Sequence, residues 1–369
     1  MSELSELERL ISICLIQEDA EAIYSLLKTE RDSIFTLGVT PYYVLFVQSC
    51  QEYIGKNFIS ESLQKDFKDI RNHIKAYADK FGKSQKRVLS VDDTQNEDFK
   101  EQLRFEFLKT VNVHLNLGSY WTDTGHIIGN TQQLAGFLSV SSMFDPALKD
   151  KSYQMGNQIS SFVSSVRNGF STSLEYPRIE RGQSSIKINY YYDINTNKNN
   201  ELLSQSVPKE LNLFFLHLLC NMNFVKHILR PLFTDENAWI FRIEYVTSYY
   251  TLRALERFKY FCEFNGCAFV DMTGIIELLA QKEKLFQTKL RNCMMHYNLE
   301  NAGVITIENV DKPFYGIIEN CFDGMSYQDY TISLNNLSNM IIGFLENQFD
   351  FANVSLKKLT FNYLILKNH

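Results

Sequence analysis

The scarcity of helix-breaking residues constrains the fold of this chain more than any other feature of its sequence. The 369 residues include 6 prolines and 16 glycines, against 28 phenylalanines and 20 tyrosines. Proline and glycine disfavour helix interiors, whereas large apolar side chains need a core in which to be buried. The composition therefore predicts a mainly α fold with long, buried helices. The length is sufficient for one large domain or two smaller ones.

The first part of the chain, residues 1–205, is expected to be largely helical with a few short strands. Its apolar residues recur at helical spacing near the N-terminus, and a later segment rich in Ile and Tyr alternates as a strand does. We expect helices over 4–28, from Thr40-Pro41 and from Ser60, a polar loop over 82–96, and a strand over 185–195.

The second part, residues 206–369, becomes strongly apolar after Pro208. Its periodic segments are separated by Pro, Asn-Gly and other polar stop signals, which predict helix ends. We expect helices over 208–229, 237–263, 271–297 and 333–351, and a short strand over 302–310. Helices joined by short connections fit an up-down four-helix bundle. The sequence thus predicts two regions that divide near residue 205.

Charge, cysteine content and the N-terminus bear on location and partners. The net charge is −6, and neither region is basic, so RNA could be bound only through a local site. The 7 cysteines are scattered without a CxxC pair, which favours reduced thiols over disulfides or zinc. The start lacks the basic segment of a signal peptide, and the most apolar stretch, 213–220, is too short for a membrane span. We therefore expect a soluble cytoplasmic protein without membrane partners.

One short stretch combines residues suited to phosphodiester chemistry. Arg291 and Asn292 follow Leu290, and His296 stands five positions after the arginine. Histidine can accept or donate a proton near neutral pH, and arginine can grip two phosphate oxygens at once. Asn292 can orient the phosphate or the imidazole ring. On one ideal helix Arg291 and His296 would point about 140° apart, so a single helix would not aim both at one atom.

These residues, together with the order of the helices around them, resemble the R-x4-H signature of the HEPN superfamily, often written LRN-x3-HY. The resemblance covers about residues 206–369. It implies a metal-independent endoribonuclease that needs no cofactor, uses the RNA 2′-OH as nucleophile, and acts as a homodimer whose two motifs line one cleft. It also implies a toxin or antiviral defence effector with a protein regulator or antitoxin. Where such toxins are controlled by tyrosine modification the motif continues as H-x-Y; here Tyr297 follows His296 directly, so that control is not expected.

Further residues near the motif are candidates for contacting RNA. We assign substrate binding to Tyr297, Tyr249 and Arg253. Tyrosines along the helix after 237 can stack bases or belong to a core or dimer interface, and charged residues there can form the walls of the site. The tyrosines are Tyr245, Tyr249, Tyr250 and Tyr260, and the charged residues are Arg242, Glu244, Arg253 and Glu256.

Two other interpretations of the motif stay open. The chain can be a non-catalytic HEPN-like module that binds a nucleotide or a protein, or a structural helical protein in which Arg and His merely favour a helix C-terminus. An enzyme would expose Arg291 and His296 in a cleft, whereas a scaffold would bury them in ion pairs. The remaining polar candidates are interpreted as chance, solvated or core residues, and no metal site is expected. They are Asp123-Thr124-Gly125, His126, Arg71-Asn72-His73, Arg167-Asn168, His217 and His227.

Overall fold

The computed structural model describes residues 3–29, 32–75, 80–103, 109, 115–169, 186–234, 237–266, 270, 272–300 and 302–358. Within them the chain is mainly α with one small antiparallel sheet, which confirms the predicted fold class. The helices before residue 206 are α1 Glu3–Thr29, α2 Ser33–Ile54, α3 Glu61–Lys75, α4 Phe81–Gln102, α5 Thr131–Gly136 and α6 Leu148–Gly169. The later ones are α7 Lys209–Asn223, α8 Ala238–Asn265, α9 Met272–Leu285, α10 Thr288–Met295, α11 Ile317–Cys321 and α12 Tyr327–Glu346.

The second helix begins earlier than the sequence indicated. Asp32 caps α2 by accepting a hydrogen bond from the Phe35 backbone N–H at 2.8 Å. The predicted start at Thr40-Pro41 is wrong, because α2 runs through Pro41. The cap and the burial of both flanking turns outweigh the one backbone hydrogen bond that proline removes.

The polar segment 82–96, predicted as a loop, is helical and forms most of α4. Its helix buries Phe81 and Val88 and also the carboxylate of Asp92, which is fully enclosed. Asp92 accepts hydrogen bonds from Thr196 and Asn116 and forms an ion pair with the ammonium of Lys209 at 2.8 Å. Polar side chains here serve a buried network instead of solvent, so polarity was a misleading loop signal.

In the described residues, four strands form an antiparallel sheet in the order β2-β1-β3-β4. The strands are β1 Leu117–Thr122, β2 Ile127–Asn130, β3 Ile188–Ile194 and β4 Lys357–Lys358. Strand β3 confirms the strand predicted over 185–195, and Tyr120 pairs with Tyr191 across β1 and β3. The segment 302–310 forms turns, so the strand predicted there is wrong. Strand β4, the last described segment, pairs with β3 in the sheet of the first region.

The four long helices of the second region, α7, α8, α9 and α12, pack on one another as a helical bundle. Helix α7 continues through a π-helical turn, Phe224–Leu229, and a 3-10 turn, Arg230–Leu232. The helix predicted over 271–297 is two helices, because Phe286 and Gln287 are not helical and separate α9 from α10. The Tyr330 hydroxyl donates to the Leu285 carbonyl at 2.7 Å and so satisfies the end of α9.

A single hydrophobic core joins the two regions. It includes Ile11 and Phe46 from the first region and Leu213, Trp239 and Leu290 from the second. Helix α1 packs on α8, α4 packs on α7 and α8, and β2 packs on α7. The predicted division at residue 205 therefore falls within one continuous hydrophobic cluster.

Helix α2 is the only helix in the described part of the chain that has the length and hydropathy of a membrane span. Most of its apolar window, 72%, is buried inside the protein. Core helices of proteins that never meet a membrane share these features, so α2 is weak evidence for a span.

Candidate active site

The histidine of the motif stands just beyond the end of α10. Met295 is the last helical residue, and His296 has an extended backbone with φ −140° and ψ 149°. Its N–H still donates to the Asn292 carbonyl at 2.9 Å. Because His296 has left the helix, its ring direction is not tied to the 140° offset from Arg291 on one ideal helix. The Ser49 hydroxyl of α2 donates to the Met295 carbonyl at 2.9 Å and holds this end of α10 in place.

A buried arginine anchors the same helix end from below. Arg242 of α8 donates to the Cys293 carbonyl and to Asp19 of α1, each at 2.8 Å. Burial raises the pKa of Asp19, and the positive charge of Arg242 opposes that effect. Breaking such a buried pair would leave a charge unpaired, which costs several kcal/mol, about 3–5. Arg242 is therefore a structural residue, and its predicted place in the wall of the site is wrong.

Tyr297 belongs to this buried anchor and is not accessible to a substrate. Its side chain is 1% exposed, and its hydroxyl donates to Asp19 at 2.5 Å. The guanidinium of Arg242 lies 4.5 Å from the centre of the Tyr297 ring. The predicted substrate-binding role of Tyr297 is therefore corrected to a structural one, because the side chain is buried and its hydroxyl and ring already contact Asp19 and Arg242.

On the surface, His296 is paired with a carboxylate that the sequence did not single out. The ring Nδ1 lies 2.9 Å from Oε2 of Glu52 in α2, and the two side chains are 46% and 45% exposed. Arg71 of α3 binds the other carboxylate oxygen, Oε1. Burial acts to raise the pKa of Glu52, but the hydrogen bonds and charges of Arg71 and His296 outweigh it and lower the pKa. Arg71 was predicted to lie on a solvated face, and it is instead part of this site.

Two predicted cations of the site lie beside one tyrosine. Arg253 of α8 donates to the Tyr249 hydroxyl at 3.2 Å, and the charge of Arg291 also acts on that hydroxyl. Burial acts to raise the pKa of Tyr249, but these two arginines outweigh it and lower the pKa. Arg291 donates in addition to the Asn292 side-chain oxygen at 3.0 Å. The structure thus brings Arg291, Asn292, Arg253 and the Tyr249 hydroxyl together.

A fourth cation joins from α3. The ammonium of Lys75 lies 5.9 Å from the centre of the Tyr250 ring, within the range of a cation–π contact. Burial lowers the pKa of Lys75, and the positive charges of Arg71 and Arg253 add to that effect. We call Arg71, Lys75, Arg253 and Arg291 the cationic cluster. Four like charges held this closely favour an anion among them.

The other predicted wall and stacking residues have different positions. Tyr245 is fully buried, and the Tyr249 ring stacks parallel to it with centroids 6.5 Å apart, so both rings belong to the core. Tyr260 is exposed near the far end of α8. Glu244 forms an ion pair with Arg230 at 2.7 Å. Glu256 forms one with Lys282 at 2.8 Å. Of the predicted wall residues, Arg253 alone contacts the site in the described part of the chain.

The remaining polar candidates lie away from the site. Asp123-Thr124-Gly125 is the turn between β1 and β2, where Gly125 has φ +85°. His126 and His227 stack with ring centres 3.6 Å apart, and His217 is buried in α7. Across the described residues, no group of three or more His, Cys, Asp or Glu side chains is arranged to hold a metal ion. Six cysteines are described, and all six are free thiols.

The site is composite, since α2 and α3 supply Glu52, Arg71 and Lys75, while α8, α10 and the residue that follows α10 supply the rest. The sequence signal for Arg71 is its place in the polar triplet Arg71-Asn72-His73. No local pattern connects Glu52 with His296, which stands 244 positions later in the chain. Comparison with protein-family models, curated proteins and solved structures found no match to this chain.

Proposed function

We propose that this protein is a HEPN-type endoribonuclease that cleaves RNA without a metal ion. The observation that carries the proposal is an exposed histidine, His296, held beside a cluster of four cations. A proton-transfer group next to a phosphate-binding cluster meets the two needs of RNA cleavage. Such a site also fits a net charge of −6, because attraction to phosphate would be local.

In this proposal the ribose 2′-OH of RNA attacks the adjacent phosphorus. His296 accepts the proton of that hydroxyl as the new P–O bond forms. The bond to the 5′-oxygen breaks, and that oxygen takes a proton from water. The products are a 2′,3′-cyclic phosphate and a 5′-hydroxyl. Arg291 faces the charge that grows on the phosphate oxygens, and Asn292 holds the guanidinium of Arg291 in place.

The wider assignment follows the same resemblance. We infer a cytoplasmic toxin or antiviral effector that works as a homodimer through its second region and answers to a protein regulator. Residues 1–205 then have a direct part in the site, because Glu52, Arg71 and Lys75 belong to them. That contribution adds to any regulatory or sensing role of the first region.

One observation favours a second candidate function, a non-catalytic module that binds a nucleotide or a protein. Glu52 already supplies an anion to the cationic cluster, as it would in a scaffold. In that case the chain would bind RNA or nucleotide without cleaving it. Binding and cleavage measured on the same preparation separate the two functions.

Replacement of His296 by alanine tests the proposal. We expect His296→Ala to slow cleavage of a single-stranded RNA by roughly 10²–10⁴-fold in EDTA, with no change in melting temperature. His126→Ala is the matched control, because His126 also lies beside a carboxylate, Glu346, at 3.8 Å but outside the cluster. An oligonucleotide with 2′-deoxyribose at the cleavage position should resist the wild type. Cleavage by His296→Ala at the wild-type rate would remove the histidine from the mechanism, and loss of wild-type cleavage in EDTA would contradict metal-free chemistry.

A further inference from the structure

We propose that Glu52 of α2 is the positioning residue of His296. The first region of the chain thereby determines which ring nitrogen of the histidine carries the hydrogen and how the ring is oriented. The inference rests on the proposed function for its kinetic consequence. Its structural content, which nitrogen of His296 carries the proton, can be measured without RNA.

The chemistry of the pair determines the tautomer. An ionised carboxylate can only accept hydrogen bonds, so the Nδ1 atom that lies 2.9 Å from Glu52 Oε2 must be the donor. The neutral His296 ring then carries its hydrogen on Nδ1 and has its lone pair on Nε2. Nε2 is the atom on the opposite side of the ring from Glu52. A general base needs that free lone pair, and the other tautomer would point an N–H at the substrate.

Glu52 is itself fixed from the other side. Arg71 binds Oε1 while His296 binds Oε2, so both carboxylate oxygens have partners. Two opposed contacts hold the carboxylate in one orientation, and the carboxylate in turn holds the ring. The Ser49 hydroxyl, on the same helix as Glu52, binds the last carbonyl of α10. Helix α2 therefore places both the backbone and the ring of His296.

The charges around the pair explain why a carboxylate is tolerated in a phosphate-binding site. Arg71 and Lys75 face Glu52 from α3, while Arg253 from α8 and Arg291 from α10 complete the cationic cluster. One negative charge among these four cations still leaves a net positive site. Glu52 thus orients His296 without cancelling the attraction to RNA.

This arrangement predicts opposite changes in rate and affinity for Glu52→Ala. A free imidazole takes either tautomer and swings, and misplacing a reacting group can cost about 10²-fold in rate. Removing a negative charge from the cluster should at the same time strengthen RNA binding. We therefore expect kcat to fall by about 10²-fold while KM for RNA falls or stays unchanged. Glu52→Gln keeps an acceptor oxygen for Nδ1 and should retain more activity than Glu52→Ala.

The experiment combines kinetics with nitrogen NMR on the full chain. In the wild type the His296 ring should show a protonated Nδ1 and a bare Nε2, and in Glu52→Ala it should show a mixture. Glu346→Gln, which changes the carboxylate beside His126, is the matched control and should leave the His296 signals and the cleavage rate unchanged.

The outcomes distinguish failure of the positioning role from failure of the proposed function. A wild-type ring with a bare Nδ1, or a ring unaffected by Glu52→Ala, overturns the positioning role whether or not RNA is cleaved. Cleavage by Glu52→Ala at or above the wild-type rate also overturns it and makes Glu52 a competitor of phosphate. A protonated Nδ1 in a protein that never cleaves RNA supports the positioning while rejecting the nuclease. Equal lowering of melting temperature in Glu52→Ala and Glu52→Gln, with kcat unchanged, reduces Glu52 to a structural residue.

Discussion

Arg291 engages two partners at once, and that geometry is what a lysine cannot reproduce. Its guanidinium donates to the Asn292 side-chain oxygen at 3.0 Å and also helps to lower the pKa of the Tyr249 hydroxyl. A planar fork can keep these contacts while a remaining N–H faces a phosphate oxygen. An ammonium is a compact point charge without fixed directions.

We predict that Arg291→Lys is nearly as damaging to RNA cleavage as Arg291→Ala. The loss should appear mainly in kcat, because the charge that the fork matches grows in the transition state. Cleavage rate, RNA affinity and melting temperature of both variants are the measurements. If Arg291 merely attracts RNA, lysine should restore most of the activity. If the residue is structural, both variants should melt earlier. A fully active, stable Arg291→Lys protein would disprove the bidentate role.

The buried histidine of α7 predicts an acid-sensitive component of stability. Burial, aided by the charge of Arg87, lowers the pKa of His217 to about 3. The unfolded ring titrates near 6.5, so the contribution of His217 is complete above that pH and is lost as the pH falls toward 3. Glu18 acts in the opposite sense, because burial raises its pKa to about 7 and acid favours its folded form.

A comparison of variants isolates the histidine. Between pH 6.5 and pH 5, the free energy of unfolding of the wild type should fall by about 1.5 kcal/mol more than that of His217→Leu. Urea unfolding at a series of pH values measures both proteins, and the effect of Glu18 cancels in the difference. Parallel stability curves would show that His217 takes up a proton in the folded chain as readily as in the unfolded chain.

At the scale of elements, the helix ends and motifs that the sequence predicts correctly are those whose signal lies within a few consecutive residues. Helix α8 ends at Asn265-Gly266 as predicted, because Gly266 adopts a left-handed φ of +70° that favours glycine. The segment 82–96 was misread because Asp92 is buried by partners distant in sequence. Arg291, Asn292 and His296 form one local motif that is visible in the sequence, whereas Glu52 contacts His296 only through the fold.

The turn before α11 is the most constrained backbone in the described chain. Phe314, Tyr315 and Gly316 follow one another with φ of +52°, +56° and +68°. A Cβ on Gly316 would lie 2.4 Å from the Asn309 carbonyl oxygen, a backbone atom that cannot rotate away. The Tyr315 hydroxyl donates to Glu18 of α1, so the turn joins the two regions.

We predict that Gly316→Ala lowers the free energy of unfolding by about 2 kcal/mol or more, since strain and overlap add. Gly324→Ala is the matched control: Gly324 has φ +73°, but a Cβ there has no neighbour within 4 Å. In Gly324→Ala the free energy of unfolding should fall only by the cost of placing alanine in the left-handed conformation, about 1 kcal/mol. Chemical denaturation of the three proteins gives the values. Equal losses in the two variants would mean that the turn relaxes around the new methyl group.

At the scale of the whole molecule, six of the ten exposed large apolar residues in the described part of the chain belong to the second region. The aromatic residues of α7 and most of those of α8 are absorbed by the shared core, so they do not by themselves call for a partner. Large apolar side chains nevertheless stand exposed on α8, α9 and α12. They are Tyr260, Phe264, Ile276, Ile332 and Met340.

We predict a two-fold homodimer that buries part of this surface. Phe264, at 91% exposure, is the most exposed large apolar residue described. Phe264→Asp should shift the sedimentation or light-scattering mass of the full chain toward the monomer. Phe58→Asp, which adds the same charge at an exposed phenylalanine of the first region, should not. A monomeric wild type at micromolar concentration would contradict the dimer and the shared cleft.

The sequence separation of 244 positions between Glu52 and His296 has a consequence for how the proposed activity first arises. A ribosome synthesises α2 and α3 long before α10. Glu52, Arg71 and Lys75 are therefore made well before His296, which completes the site. A product of translation interrupted before residue 296 cannot contain the complete site. Under the proposed function, ribonuclease activity would therefore arise only after residue 296 has been synthesised and the chain has folded.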